Sequence, residues 1–163
     1  MISWLNFFNM QLLLFHVDDR RCALRLDEVE EVIAAVAHVP LPSAPQGIVG
    51  AIDVHGEPVP LFDVRSRLEL PTRLPKSSDH FILSRSSGRR IALAVDRALE
   101  IADIPEIDMT KARQLAPCAP YLDGLAKQAM ELWLIWDLSC FLSQSEKRAL
   151  DEALAASLEV GGP

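Results

Sequence analysis

The feature that most restricts the fold is a near-repetition of the chain along its own length. Ala23-Leu24-Arg25-Leu26-Asp27, followed by Glu31-Val32, returns as Ala92-Leu93-Ala94-Val95-Asp96, followed by Glu100-Ile101, displaced by 69 residues (23 to 92). A second pair keeps the same order: Gly50 leads to Asp63-Val64 and Leu68, and Gly124 to Asp137-Leu138 and Leu142, displaced by 74 residues (50 to 124). Matches in one order mean that one supersecondary plan is used twice. In 163 residues this leaves room for two small units sharing buried surface, not for two large domains.

Local patterns fill in each half. Leu12 to Val17 and Cys22 to Leu26 flank the polar run Asp18-Asp19-Arg20-Arg21, and Phe81 to Ser84 and Ile91 to Val95 flank Ser86-Ser87-Gly88. Each half is therefore predicted to open with a hairpin. Along Ile91 to Val95 large side chains alternate with Ala92 and Ala94, so one face is bulky and the other small, which suits a sheet closing on a tight interior. Between each glycine and its aspartate an apolar stretch is broken by His55-Gly56-Glu57 or by Lys127-Gln128, predicting a second hairpin. Asp63 and Asp137 then stand at the N-cap of a short helical turn. Short strands at this density indicate small barrels rather than a parallel sheet.

Prolines punctuate the plan. Pro58 and Pro60 cannot donate to a ladder, so the strand holding them is expected to be partly an edge or bulged. Pro40, Pro42 and Pro45 mark the link before that hairpin, and Leu70 to Ser78, with Pro71 and Pro75, reads as the connector between halves. From Gln144 to Leu158, Leu150, Leu154 and Leu158 recur every four residues behind Ser145, predicting a terminal amphipathic helix capped by that serine. Gly161-Gly162-Pro163 should fray. Residues 1 to 9, apolar but without the basic start and cleavage site of a signal peptide, are expected to be a frayed extension.

Composition removes several function classes. Half the residues are apolar and the formal charge is −7, so the chain is globular and a poor match for phosphate backbones or anionic lipid. Cys22, Cys118 and Cys140 are odd in number and form no C-x-x-C pair, which argues against a disulfide framework or zinc knuckle and for a reducing cytoplasm. Charged residues, glycine or proline interrupt every apolar run before it could span a bilayer. No glycine-rich phosphate loop, nucleophile elbow or kinase signature is present.

Taken in order, Ala23 to Val32, Pro42-Ser-Ala-Pro45, Gly47-Ile-Val-Gly-Ala-Ile-Asp-Val-His-Gly56, Pro58-Val-Pro-Leu-Phe-Asp-Val-Arg65, and Ala94-Val-Asp96 with Glu100-Ile101 resemble the CheW-like family of bacterial chemotaxis coupling proteins, over about Leu12 to Leu142. The resemblance implies two intertwined five-stranded SH3-like barrels with short helices. Its CheW-like domain would cover 11–143, with subdomains at about 11–72 and 79–143 and strand exchange between them allowed, after an extension at 1–10 and before the helix and tail at 144–163. It further implies a non-enzymatic adaptor without cofactor, coupling a CheA-type histidine kinase regulatory domain to the helical tip of a chemoreceptor in a cytoplasmic array. The partner-binding residues it suggests are Val29, Glu31, Val32, Ile48, His55, Gly56, Pro58 and Arg65. At one point the chain departs from the pattern: the family's Asn-Leu-Arg-Gly turn reads Asp53-Val-His-Gly56 here, replacing a permanently charged fork by a side chain mostly neutral near pH 7.

The residues alone leave two alternatives beside this. Val29 and Val32 fit either packing of a strand lead-in against a barrel or, by the resemblance, a receptor-facing groove. Asp53 and His55, two apart on a strand, could ligate a metal or act as an acid–base pair on a β-barrel enzyme, but no third group stands nearby and a surface turn is the expected reading. Trp133 and Trp136 are expected to fill a barrel interior or the seam between halves.

Overall fold

The computed structural model describes residues 9–86, 88–105, 108–111 and 121–160. These form β1 (Asn9–Val17), β2 (Arg20–Arg25), β3 (Val29–Ala34), β4 (Ile48–Val54), β5 (Glu57–Asp63), β6 (His80–Ser86), β7 (Arg89–Val95), β8 (Arg97–Pro105), β9 (Met109–Lys111), β10 (Leu122–Gln128), β11 (Glu131–Trp136) and α1 (Gln144–Val160). Short 3-10 turns follow β2 (Leu26–Glu28), β5 (Val64–Arg67) and β11 (Leu138–Cys140).

The strands build two barrel-like sheets, ordered β8-β1-β2-β11-β10-β9 and β3-β6-β7-β5-β4. The first has six strands rather than the five expected, because the three-residue β9 pairs along β10. Each half donates its opening hairpin to the other half's sheet: β1–β2 lies between β8 and β11, and β6–β7 between β3 and β5. The exchange obeys the sequence repeat. The parallel pair Ile135↔Ala23 in the six-stranded sheet recurs as Leu61↔Ala92 in the five-stranded one, with the same 69- and 74-residue displacements (23 to 92, 61 to 135). Register shifts fall at matching places too, between Ile48 and Gly50 and between Leu122 and Gly124.

Burial follows the same rule. Leu12, Leu14, Ala23, Ala126, Trp133 and Ile135 fill the six-stranded barrel, and their counterparts Phe81, Leu83, Ala92, Ile52, Val59 and Leu61 fill the other. The cross-strand pair Ile52↔Val59 becomes Ala126↔Trp133, one residue shrinking as its neighbour grows, which conserves volume in a close-packed interior. The opposite faces of the same hairpins, with Leu13, Phe15, Leu24, Phe62, Ile82, Leu93 and Trp136, meet in a third and larger core between the barrels. The two tryptophans divide between the places expected for them, Trp133 inside a barrel and Trp136 in the seam.

Particular residues make these elements close. The chain after β3 returns to β4 through reciprocal Val39–Ala51 backbone bonds of 2.9 and 2.8 Å, and position 50 is glycine because a Cβ there would collide with the Val39 carbonyl. Pro58 and Pro60 sit on β5 before its pairing with β7 begins at Leu61, so their missing N–H groups cost no ladder bond there. As the repeat predicted, Asp63 and Asp137 cap their turns, accepting from the Arg65 and Ser139 N–H groups at 3.0 Å. The helix cap differs from expectation. Ser143, not Ser145, begins α1: its hydroxyl accepts from the Glu146 N–H at 3.1 Å while Glu146 accepts from the Ser143 N–H at 2.9 Å, a reciprocal capping box. Leu150 seats the helix in the seam. The strands also reach closer to the first turn than the polar run suggested, leaving only Asp18-Asp19 between β1 and β2. Of the cysteines, Cys22 is buried, its thiol pushed up to about 12 by that burial, and Cys140 is exposed; Cys118, like residues 1 to 8, lies outside the described residues.

Candidate functional site

One end of the five-stranded barrel gathers most of the residues singled out from sequence. β3 is the sheet's edge, and on it Glu31 is exposed, Val29 half-buried and Val32 38% exposed. The β4–β5 turn stands nearby with His55 and Gly56 at φ 52° and 84°, a left-handed pair typical of a two-residue type I′ hairpin, followed by exposed Pro58. Ile48, half-buried, begins β4 at that strand's other end. His55 therefore belongs to the turn and not to the strand, so it does not share a strand face with Asp53 as the two-residue spacing suggested.

A guanidinium absent from the sequence-based set ties these parts together. Arg90 on β7 binds Glu30 of β3 through Nε and NH2 at 3.3 and 3.0 Å, and Glu57 of the turn through NH1 at 3.0 Å. Arg85 adds a 3.1 Å contact to Glu30. The hydrogen bonds from Arg90 hold the Glu30 carboxyl below its usual range. The edge strand and the turn are thus braced at a fixed separation.

Arg65 is placed differently from its fellow candidates. Only 6% exposed, it lies in the seam, where its fork reaches Asp18 at 2.7 and 2.8 Å and Asp96 at 2.7 and 2.9 Å. Arg73 of the connector joins Asp96 at 3.0 Å and Asp79 at 2.7 and 2.9 Å. The hydrogen bonds from Arg65 hold Asp18 below the ordinary carboxylate range; burial works against this at Asp79, but the Arg73 bonds win there as well. The cluster links the β1–β2 turn, the β7–β8 junction, the connector and the turn after β5. Nothing in the sequence announces it, because apart from Arg73 and Asp79, six residues apart, its bonded members lie 23 to 78 residues apart (73 to 96, 18 to 96).

The repeat marks a related end on the six-stranded barrel, with no residue among the candidates drawn from sequence. Displaced by 69 residues, Val32 becomes Ile101 and Glu30 becomes Leu99; displaced by 74, His55-Gly56 becomes Ala129-Met130 and Pro58 becomes Leu132. Ile101 is 57% and Met130 87% exposed, and Leu99 and Leu132 are exposed as well. Ala129 and Met130 hold φ at 52° and 68°, so the tip keeps the left-handed turn although neither residue is glycine. Arg21, the counterpart of Arg90, donates to the Leu132 carbonyl at 3.2 Å.

Among the described residues no group of three or more His, Cys, Asp and Glu side chains is placed to hold a metal. An open cleft of about 430 Å3 between the β4–β5 side and α1 is lined by Glu57, Pro58, Arg89, Arg90 and Lys147, and its Arg89 and Arg90 are already engaged with Asp151, Glu30 and Glu57. Two exchanged barrels that expose strand edges, one braced by the Glu30–Arg90–Glu57 ion pairs and one apolar, have the form of a protein-binding scaffold. The chain belongs to the CheW-like family, whose domain it matches over residues 11–146, and is a non-enzymatic adaptor of the chemotaxis type. It is 20% identical to the chemotaxis protein CheW of Treponema pallidum over 86% of both chains, and 23% identical to a probable chemotaxis protein CheW of Rhizobium etli over 91% of this chain and 97% of that one. The crystal structure of the scaffolding protein TtCheW from Thermoanaerobacter tengcongensis superposes with a TM-score of 0.77 at 21% identity, covering 85% of this chain and 95% of that one, so the fold is shared. No helix among the described residues is long and apolar enough to cross a membrane.

Proposed function

We propose that this chain couples a CheA-type histidine kinase to a chemoreceptor-like helical partner in a cytoplasmic array, using its two related ends for different partners. The supporting observation is the equivalence of Val32 and Ile101: the same strand-edge position is exposed and aliphatic on both barrels, within different surroundings. At the five-stranded end, Val29 and Val32 offer narrow apolar anchors beside Glu31, His55, Gly56 and Pro58, a mixed rim suited to an amphipathic helix of the receptor tip, while Ile48, at the far end of β4, packs against the seam. Arg65 contributes from beneath, holding the turn after β5 against both halves. At the six-stranded end, Leu99, Ile101, Met130 and Leu132 offer a larger apolar surface, suited to a barrel of the kinase regulatory domain. Binding both partners at once raises their effective concentration toward each other.

The test is calorimetric titration with a kinase regulatory domain and a receptor helical hairpin from the same genome, singly and together. Saturable binding of each, unhindered by the other, is expected. Failure of every such kinase domain to bind at high micromolar concentration, or competition between the two partners, overturns the assignment.

A further inference from the structure

The crossover between barrels contains a carboxyl group in an unusual position. β2 belongs to the six-stranded sheet and β3 to the five-stranded one, and the 3-10 turn Leu26–Glu28 is the path between them. Glu28, its last residue, adjoins Val29, the first residue of the docking edge. Its Oε2 is fully buried and has no hydrogen-bond partner among the described residues. Among the described residues, the charged groups facing it are Asp27 on its own turn, Asp123 on β10, Asp137 before the Leu138–Cys140 turn, and the cation Arg25 on β2. That cation is already paired with Asp123, and its Nε is buried without a partner. The framework does not require an acid here, since the repeat counterpart 69 residues on is the exposed Arg97.

We propose that Glu28 is a proton-operated coupling element, neutral and seated when protonated, and levering the start of β3 away from the six-stranded barrel when it ionises. Ionisation places a fourth negative charge among Asp27, Asp123 and Asp137 while one of its oxygens is cut off from water. Burial first, then the neighbouring Asp27, pushes the Glu28 carboxyl up to about 7, so the change falls within the cytoplasmic range. Because the folded state holds this proton more tightly than the unfolded chain, its contribution is complete below the ordinary glutamate range and is lost as pH rises through about 7. The proton would thereby set how the β3 edge is presented to the helical partner. This last step rests on the docking role proposed for β3; the titration itself does not.

The experiment is an NMR titration of the full chain alone from about pH 5 to 9, bracketing the range between ordinary carboxyl and amine groups, following the Glu28 side-chain carboxyl carbon and the Val29–Ala34 amides. A common midpoint near neutrality is expected, with the amide movement abolished in Glu28→Gln and shifted to lower pH in Asp137→Asn, which keeps a capping oxygen but removes a charge. A Glu28 carboxyl already ionised at the acidic end of that range, or β3 amides that still titrate in Glu28→Gln and so report another group, overturns the proposal. No partner is needed, so a positive result beside failed receptor binding leaves the switch standing and removes only the docking role.

Discussion

The two barrels share a backbone plan to the level of individual register shifts, yet their exposed ends have opposite chemistry. At one, Glu30, Arg90 and Glu57 form an ionic brace; at the other the same three positions are Leu99, Arg21 and Glu131, and apolar side chains face outward. Inside, the same divergence is volume-neutral, Ile52 with Val59 against Ala126 with Trp133. In the seam it is not neutral, for Arg65 ties Asp18 to Asp96 while its counterpart Ser139 merely closes a local turn on Asp137. The two halves share what closes a sheet and differ at the exposed ends and in the seam.

The sharpest way to test this is to move one barrel's interior into the other. Trp133→Ala should cost about 3–5 kcal/mol in urea denaturation, as for other buried aromatic truncations. Ala126→Ile with Trp133→Val, which imports the Ile52–Val59 pair, should recover more than half of that loss; no recovery would show that the interiors are not interchangeable. Next in size, Arg65→Met should cost about 2 kcal/mol, less than the full penalty for breaking a buried ion pair because Asp18 is 42% exposed. Ser139→Ala should change stability by less than about 0.5 kcal/mol. The acid limb separates them further. Asp18 has a depressed carboxyl, so its contribution is present above the ordinary aspartate range and lost as pH falls through the lower folded value; Arg65→Met should flatten that limb and Ser139→Ala should not.

Binding gives the third contrast. Val32→Asp should weaken the receptor-type helix about tenfold, roughly 1.4 kcal/mol, and spare the kinase domain, whereas Ile101→Asp should do the reverse. Equal loss of both partners from either variant would merge the two ends into one site. The smallest effect is expected at the brace. Arg90→Gln should lower the unfolding midpoint slightly at low salt and not at all in concentrated salt, since exposed ion pairs are screened, while Arg21→Gln should show no salt-dependent change.

Much of this could be read from the chain. The glycine-to-aspartate spacing gave both second hairpins and both capped turns because those features are local, fixed by glycine, a polar break and an Asx side chain. The exchange of hairpins was left open, since a parallel β5–β7 contact joins residues about thirty apart with no local mark. Most candidate residues come to one barrel, because they lie on β3 and on the β4–β5 hairpin of the same sheet, with Ile48 at the end of β4 away from the turn. Arg65 reads as surface in sequence and is buried in the structure, its partners being distant in the chain. The end at Ile101 had a signal, its match to Val32, but exposure is decided by the packing of the whole barrel and not by the match.

The exchange of hairpins also governs what happens if the backbone is cut. Cleavage in the connector after Leu70 would yield two polypeptides, neither holding a complete barrel, since each contributes two strands to one sheet and three or more to the other. The fragments should stay associated as an obligate heterodimer and melt in a single transition, so that this molecule is better understood as one cooperative folding unit than as two modules joined by a tether.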